Sequence, residues 1–475
     1  MRKLIGNVFY QSIFQVLKIV LPVITIPIVS KALGPSGIGE YNYMNSIVSY
    51  FLLFAGLGMD MYGIREIAIV RNSKKLLSQK FWELQIFNGI ISLIVILLYA
   101  GFSMLSKNPI LYLIQTLILV GAFFDISWFF AGIEEFKAIT ISNLFIKIIG
   151  FIFIVLYVKN YSDLIVYVFI QSMTIFLSQL ILWIFLFGKI TLVKINFKNV
   201  IRHTKPAASF FVGKIATTLY MNINKTILGL IGTFAMVGIF SNSTNLIFIV
   251  VALVGTIDTV MLPKMSNLQS SGSEEKIIKI LDTTLHIQVF FSILFMFGLI
   301  SVADSLVYWF FGPEFSQAAL VLKLLSPLII IKCLGTSIVK QYLMPKNQIR
   351  NFNLSVIIGA VINALLNFSL IPVLGVFGAV FATFITESLV TGIRIYFLLK
   401  QTDFKFNIIL ITKQILSATT MLVALRTIFF NFDKNIYTTL LEALTGFAIY
   451  MFLTYVLKVN LIYSFITTNM LRKRN

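Results

Sequence analysis

Runs of about 20 apolar residues recur from one end of this 475-residue chain to the other, divided by short polar breaks. Each run is long enough to cross the ~30 Å hydrocarbon core of a bilayer as a helix. The alternating ~10-residue segments that would build a membrane-spanning barrel are absent. The pattern therefore predicts an all-α polytopic membrane protein with about 14 transmembrane helices. They fall at roughly 9–31, 42–62, 81–105, 109–132, 139–158, 163–187, 206–231, 234–262, 285–311, 318–343, 352–372, 375–399, 408–430 and 436–457. The connecting loops are too short to hold a folded domain. The basic start, MRKLIGNVFY, continues into an apolar run that exceeds a signal-peptide core and lacks a small-residue cleavage site, so it reads as the first span.

Polar residues interrupt these runs in stripes. The second span carries Asn42, Ser46, Ser49, Gly56 and Asp60, preceded by the turn Gly34-Pro35-Ser36-Gly37 and followed by Arg65, Arg71, Lys74 and Lys75. The first carries Asn7, Gln11, Gln15 or Lys18, Pro22 and Thr25, and the seventh Lys214, Thr218, Met221 and Lys225, at helical spacing. Amides and charges in hydrocarbon cost several kcal/mol unless they face protein or water, so these faces are expected to line a wet cavity. Sliding the chain by 199 residues lays IGEYNYMNS (38–46) over VGIFSNSTN (237–245), with Gly39 on Gly238 and Ser46 on Asn245; Asp60 falls one residue from Asp258. The offset spans six helices, an even number, so the two copies share one orientation. The expected architecture is two pseudo-symmetric six-helix lobes around a central cavity, with two appended helices. The domains are 1–200, 201–400 and 401–475. The candidate cavity residues are Lys18, Lys214, Lys225, Asn42, Ser46, Asn245 and Gln11.

Charge refines the picture. Hydrophobic residues make up 58% of the chain and charged residues 12%, far from soluble composition, and the net charge is +20. With the amino terminus inside, nearly all loop lysines and arginines fall on the cytoplasmic side and only Lys31, Lys107, Lys159 and Lys434 on the other. This bias predicts two cytoplasmic termini. The basic residues sit at membrane edges and within helices, with no soluble basic domain, which argues against nucleic acid as a partner. Within the spans, basic residues outnumber acidic ones, and a surplus of buried cations favours an anionic cargo. Asp125 with Lys147 and Glu387 with Arg394 are expected structural ion pairs, the first from matched depth on consecutive spans, the second from one helix face. Asp60 and Asp258 are candidate ion-coupling groups. There is no nucleotide-binding glycine loop, no metal-spaced His/Cys set and no catalytic serine motif, so neither a cofactor nor a metal is expected and no enzymatic centre is apparent. The single cysteine, Cys333, excludes an intrachain disulfide.

LGPSGIGEYNYMNSIVSYFLLFAGLGMDMYGIREIAIVR (33–71) resembles the first-loop and second-span signature of polysaccharide repeat-unit flippases, the polysaccharide transporter family of the multidrug/oligosaccharidyl-lipid/polysaccharide exporter superfamily. DISWFFAGIEEFKAITISNLFIKIIGFIFI (125–154), NKTILGLIGTFAMVGIFSNSTN (224–245), VMLPKMS (260–266) and FFGPEF (310–315) are similar to later blocks. One departure is Asn224-Lys225, where the family pattern leads one to expect an acid before the lysine. The resemblance implies a bacterial plasma-membrane protein that moves an undecaprenyl-diphosphate-linked oligosaccharide from the inner to the outer leaflet by alternating access. It also implies membrane lipid as a partner, with a polysaccharide polymerase and other assembly proteins as candidates. An ion-coupled drug exporter should favour acids in its cavity, whereas this chain favours lysines. A membrane polymerase should show a large external loop or an acidic catalytic cluster, and neither is present.

Overall fold

A computed structural model describes the backbone of residues 2–460 and the side chains of residues 20–460 apart from 212 and 213. Among the described residues the secondary structure is entirely helical. In chain order the helices are α1 (Arg2–Gly56), α2 (Met59–Val70), α3 (Lys74–Met104), α4 (Pro109–Phe123), α5 (Ser127–Gly132), α6 (Phe136–Tyr157), α7 (Leu164–Leu182), α8 (Phe197–Arg202) and α9 (Thr204–Ile231). They continue as α10 (Phe234–Val254), α11 (Thr256–Ser270), α12 (Glu274–Phe310), α13 (Ser316–Leu325), α14 (Leu328–Ile338), α15 (Ile349–Leu374), α16 (Val376–Gln401), α17 (Ile408–Ile428) and α18 (Ile436–Val456).

Eleven described helices are long and apolar enough to cross a membrane, or twelve if Pro313–Leu325 and Leu328–Leu343, bent by 49°, count as one broken span. The expected count of 14 is not reached on these terms, for two physical reasons. The first two runs join into one helix, α1, interrupted at Gly34 (φ 63°, ψ 179°), a backbone conformation open to glycine and costly for other residues. And α9, with its lysines and asparagines, is too polar to qualify by composition.

The chain divides into two compact units, residues 1–229 with 233–238, and residues 230–232 with 239–475. In the first, α4 packs on α3 and α7, α6 on α7, and α2 on α5. Its aromatic core joins Phe81, Trp128 and Phe129 to Trp183. In the second, α12 is the central helix, packed on α13, α14, α17 and α18, while α15 pairs with α16. The 199-residue offset makes α9 the opening helix of a second lobe, yet its side chains bond to α1 and α2 within the first unit.

Gly39 shows why that stretch is rich in glycine. A Cβ there would collide with the carbonyl of Phe234, and a Cβ on Gly238 would collide with the carbonyl of Pro35. Only two glycines let these backbones approach so closely.

On α2 and α3, His203 ties the start of α9 to its neighbours. Its Nδ1 shares a 2.6 Å hydrogen bond with the Tyr62 hydroxyl, and its Nε2 faces the Glu83 carboxylate at 3.5 Å. Glu83 also accepts from Asn199 and Gln79 and lies 3.5 Å from Lys80, which in turn faces Glu66. Burial pushes the His203 imidazole below its ordinary value; Lys80 acts in the same direction, and Glu83 and Glu66 oppose it. The folded protein thus takes up this proton less readily than the unfolded chain, whose histidine titrates near ~6.5. This contribution is intact above that pH, and stability falls as the pH drops from there toward the lowered folded value. Thermal unfolding of the purified protein should show a Tm that declines on acidification below pH ~6.5, and His203→Asn should flatten that decline.

Candidate functional site

The polar stripe of the second predicted span lies on the part of α1 beyond Gly34 and faces α9. Thr226 on α9 is its hub: its Oγ1 lies 2.9 Å from the Ser46 hydroxyl and 2.9 Å from the Tyr50 hydroxyl. Asn42 gives its Nδ2 hydrogen to the Ile38 carbonyl at 2.8 Å, and Ser49 bonds the Asn45 carbonyl at 2.6 Å. Those donors are thus consumed within the helix, but the acceptor of Asn42 is left available. About three turns further on, Lys214 of α9 makes an ion pair with Asp60 in the first turn of α2. Both side chains remain accessible, at 36% and 56% exposure, so this pair can open toward a competing anion or cation. Gly56 leaves space beside them.

Lys225 differs. It is half-buried one residue from the Thr226 hub, and no carboxylate or hydrogen-bond acceptor among the described residues meets its ammonium. A lysine kept there without an acid is costly to the fold, as sparse compensation of a buried charge always is. Lys18 and Gln11 lie on α1 outside the described side chains.

Asn245 and Asp258 belong to the second unit. Asn245 is on α10 beside Thr244, which bonds its own helix backbone. Asp258, at the start of α11, is fully buried. Its Oδ1 accepts hydrogen bonds from Gln288 Nε2 at 2.8 Å and Gln341 Nε2 at 2.7 Å. The amides are held in that orientation from behind: Thr284 donates to Gln341 Oε1 at 2.6 Å and Ser337 donates to Gln288 Oε1. Gln341 sits in a π-helical turn, Val339–Leu343, a distortion often found where a side chain must be re-aimed. The second carboxylate oxygen, Oδ2, has no partner and no contact with solvent. Residues that the repeat nearly superimposes, Asp60 and Asp258, thus differ in kind: one an accessible ion-pair partner, the other a sealed carboxylate.

Glu387 on α16 pairs with Lys332 on α14, and Arg394 donates to the Ser355 hydroxyl at 3.1 Å with its guanidinium 5.5 Å from the Phe352 ring. Residues seven apart are two helical turns removed, ~10 Å, whereas a neighbouring helix delivers Lys332 directly to the carboxylate. Asp125 accepts the Ser127 N–H at 2.8 Å. Lys147 lines a separate cavity of about 340 Å³ with Thr25, Gln171 and Thr174. The chain breaks between α4 and α5 at Asp125. Asp304, which lies inside α12, also binds two cations, Lys323 at 2.6 Å and Arg426 at 3.4 Å. The surplus of membrane-embedded lysines is thereby thinned to a few groups, of which Lys225 is the one adjacent in the chain to the hub residue Thr226.

A family model described as polysaccharide biosynthesis protein matches residues 4–269. The chain belongs to that family. Among curated proteins it is 25% identical over 407 residues to a protein of Escherichia coli described as an O-antigen transporter, covering 82% of this chain and 95% of that one. It is 24% identical over 217 residues to a protein of Haloferax volcanii described as a flippase of low-salt glycan biosynthesis, covering 46% of each. Among solved structures it is similar to the lipid II flippase MurJ in an inward closed conformation, with a TM-score of 0.75, 17% identity, and coverage of 96% of this chain and all of that one. An inward-facing multidrug MATE transporter follows with a TM-score of 0.59, 13% identity, and coverage of 89% and 99%. These likenesses are of fold.

Proposed function

We propose that this family member is a flippase that moves an undecaprenyl-diphosphate-linked oligosaccharide repeat unit from the inner to the outer leaflet of a bacterial plasma membrane, with both termini cytoplasmic. The observation that carries this reading is Lys225: a half-buried cation with no carboxylate partner among the described residues, on α9 immediately before Thr226, whose hydroxyl bonds Ser46 and Tyr50. A diphosphate supplies the missing negative charge, and sugar hydroxyls suit the hydroxyl cluster and the free acceptor of Asn42. Lys214 adds a second contact by exchanging Asp60 for the diphosphate, and Lys18 and Gln11 complete the cavity. Transport proceeds by alternating access, as in transporters built from repeats. The appended pair 401–475 adds surface for lipid or for assembly partners such as a polymerase. Movement is driven by an ion gradient: Asp60, freed when Lys214 turns to cargo, and Asp258, with its unpartnered Oδ2, are the groups able to take up a cation.

Deleting the gene should leave lipid-linked repeat units confined to the inner leaflet. They should be reached by a membrane-impermeant glycan-cleaving probe in inverted vesicles and not in right-side-out ones. Equal accessibility from both sides in the deletion strain would refute the proposal.

A further inference from the structure

A cavity of about 210 Å³ in the second unit plays no part in this reading. It lies among α12, α17 and α18, and its polar lining includes Asp304, Ser305, Arg426, Lys434 and Glu442. Asp304 is held by Lys323, whose ammonium meets both carboxylate oxygens at 2.6 Å, so these two cancel. Arg426 reaches Asp304 only at 3.4 Å through one of its guanidinium nitrogens and retains donors for another ligand. Lys434 is exposed and has no carboxylate partner among the described residues. Across the cavity, Glu442 accepts a hydrogen bond from Ser305 at 2.8 Å on Oε2, and its Oε1 has no partner among the described residues. Two cations and one carboxylate therefore face a shared space, with spare donors on one wall and a spare acceptor on the other.

The depth of the cavity narrows what it can hold. α17 and α18 are each 21 residues long and apolar enough to span, so the turn between Ile428 and Ile436 lies where the hydrocarbon ends. That turn exposes Phe430 at 84% and Phe432 at 53%, and Tyr437 follows at 75%. Large exposed aromatics at a helix end mark the headgroup layer. The wall of the cavity is firm: Trp309 donates to Thr439 at 2.8 Å, and Asn435 caps α18 through the Thr438 N–H at 2.9 Å. A zwitterionic ligand at headgroup depth satisfies both walls at once. We infer that this cavity binds the phosphoethanolamine headgroup of a membrane phospholipid, with the phosphate on Arg426 and Lys434 and the ammonium on Glu442. The inference does not depend on what the protein transports.

The test is native mass spectrometry of the purified full-length protein incubated with equimolar phosphatidylethanolamine and phosphatidylglycerol of the same chain length. Wild type should retain phosphatidylethanolamine about tenfold over phosphatidylglycerol, the effect of one charge-assisted contact. Glu442→Gln, which keeps the shape and removes the charge, should bring that ratio to about one. Lys434→Gln, on an exposed turn residue whose loss does not threaten folding, should weaken both lipids alike. Equal retention of the two lipids by wild type, or a preference unchanged in Glu442→Gln, would overturn the assignment. So would displacement of the lipid by water-soluble phosphoethanolamine at equal concentration, which would mark a soluble ligand instead.

Discussion

Replacing Lys225 with methionine should lower the rate of repeat-unit flipping by about 10–100-fold, the worth of one or two charge-assisted bonds to a phosphate. It should do so without loss of the protein from the membrane. The sign of the accompanying stability change separates this reading from a structural one. Lys225 has no acid to offset it, so the methionine variant removes an uncompensated charge and should unfold at the same temperature as wild type or higher. A lysine that served the fold would give the opposite, a lower Tm together with reduced transport. Lys214→Met should have a milder effect on transport, because in the resting protein that lysine already has Asp60. Asp60→Asn should make Lys214 more available to the anion while removing a candidate coupling group. Surface polysaccharide, measured in a deletion strain carrying each variant at matched membrane levels, ranks the three. Unchanged polymer with Lys225→Met would remove the central support for the proposed diphosphate site.

The close approach of the chain at Gly39 and Gly238 was legible in the sequence as paired glycines. Shifted by 199 residues, Pro35 falls on Phe234 and Gly39 on Gly238. In space Gly39 abuts the carbonyl of Phe234, and Gly238 abuts the carbonyl of Pro35. Close backbone approach constrains glycine strongly and its surroundings weakly, which is why these two glycines stand out in the sequence. The polar row of span two was legible for a similar reason: hydroxyls and amides in an apolar run need a partner, and Ser46 finds Thr226.

Side-chain pairing was not legible. Periodicity places residues on a face but says nothing of which neighbouring helix lies against it. Glu387 and Arg394 share a face of α16, yet the carboxylate is met from α14 and the guanidinium by α15. Asp125 belongs to a helix break that leaves no mark in hydropathy, since Phe124 and Ile126 are as apolar as the spans on either side. Asp60 and Asp258 occupy nearly matching places in the repeat, but their roles are set by Lys214 in one unit and by two glutamines in the other. Gln288 and Gln341 lie far apart in the chain and carry no motif. Only an unsatisfied buried carboxylate, seen in three dimensions, draws attention to them.

Lys332 and Glu387 illustrate what such a pair does to the fold, and they give the largest expected stability effect. Their side chains are 16% and 9% exposed, and Lys332 also lies 5.1 Å from the centre of the Phe248 ring. Gly335 lets α16 come close, since a Cβ there would press on Thr391 and Arg394, and the Thr391 hydroxyl bonds the Ile331 carbonyl at 3.0 Å. Glu387→Ala would strand the lysine in this tightly packed seam, where breaking a buried pair costs about 3–5 kcal/mol. Lys332→Met alone should cost a similar amount by stranding the acid. The double variant Lys332→Met, Glu387→Met removes both charges and keeps volume, and should recover most of that loss, since apolar replacement of a buried pair is often neutral. Unfolding of the four proteins in the same detergent measures the coupling directly as a double-mutant cycle. Additive losses would mean that the two side chains act independently. Recovery in the double variant, with flipping retained, would show that the pair fixes the contact of α14 with α16 and takes no part in carrying the anion, leaving that work to the half-buried lysine of the first unit.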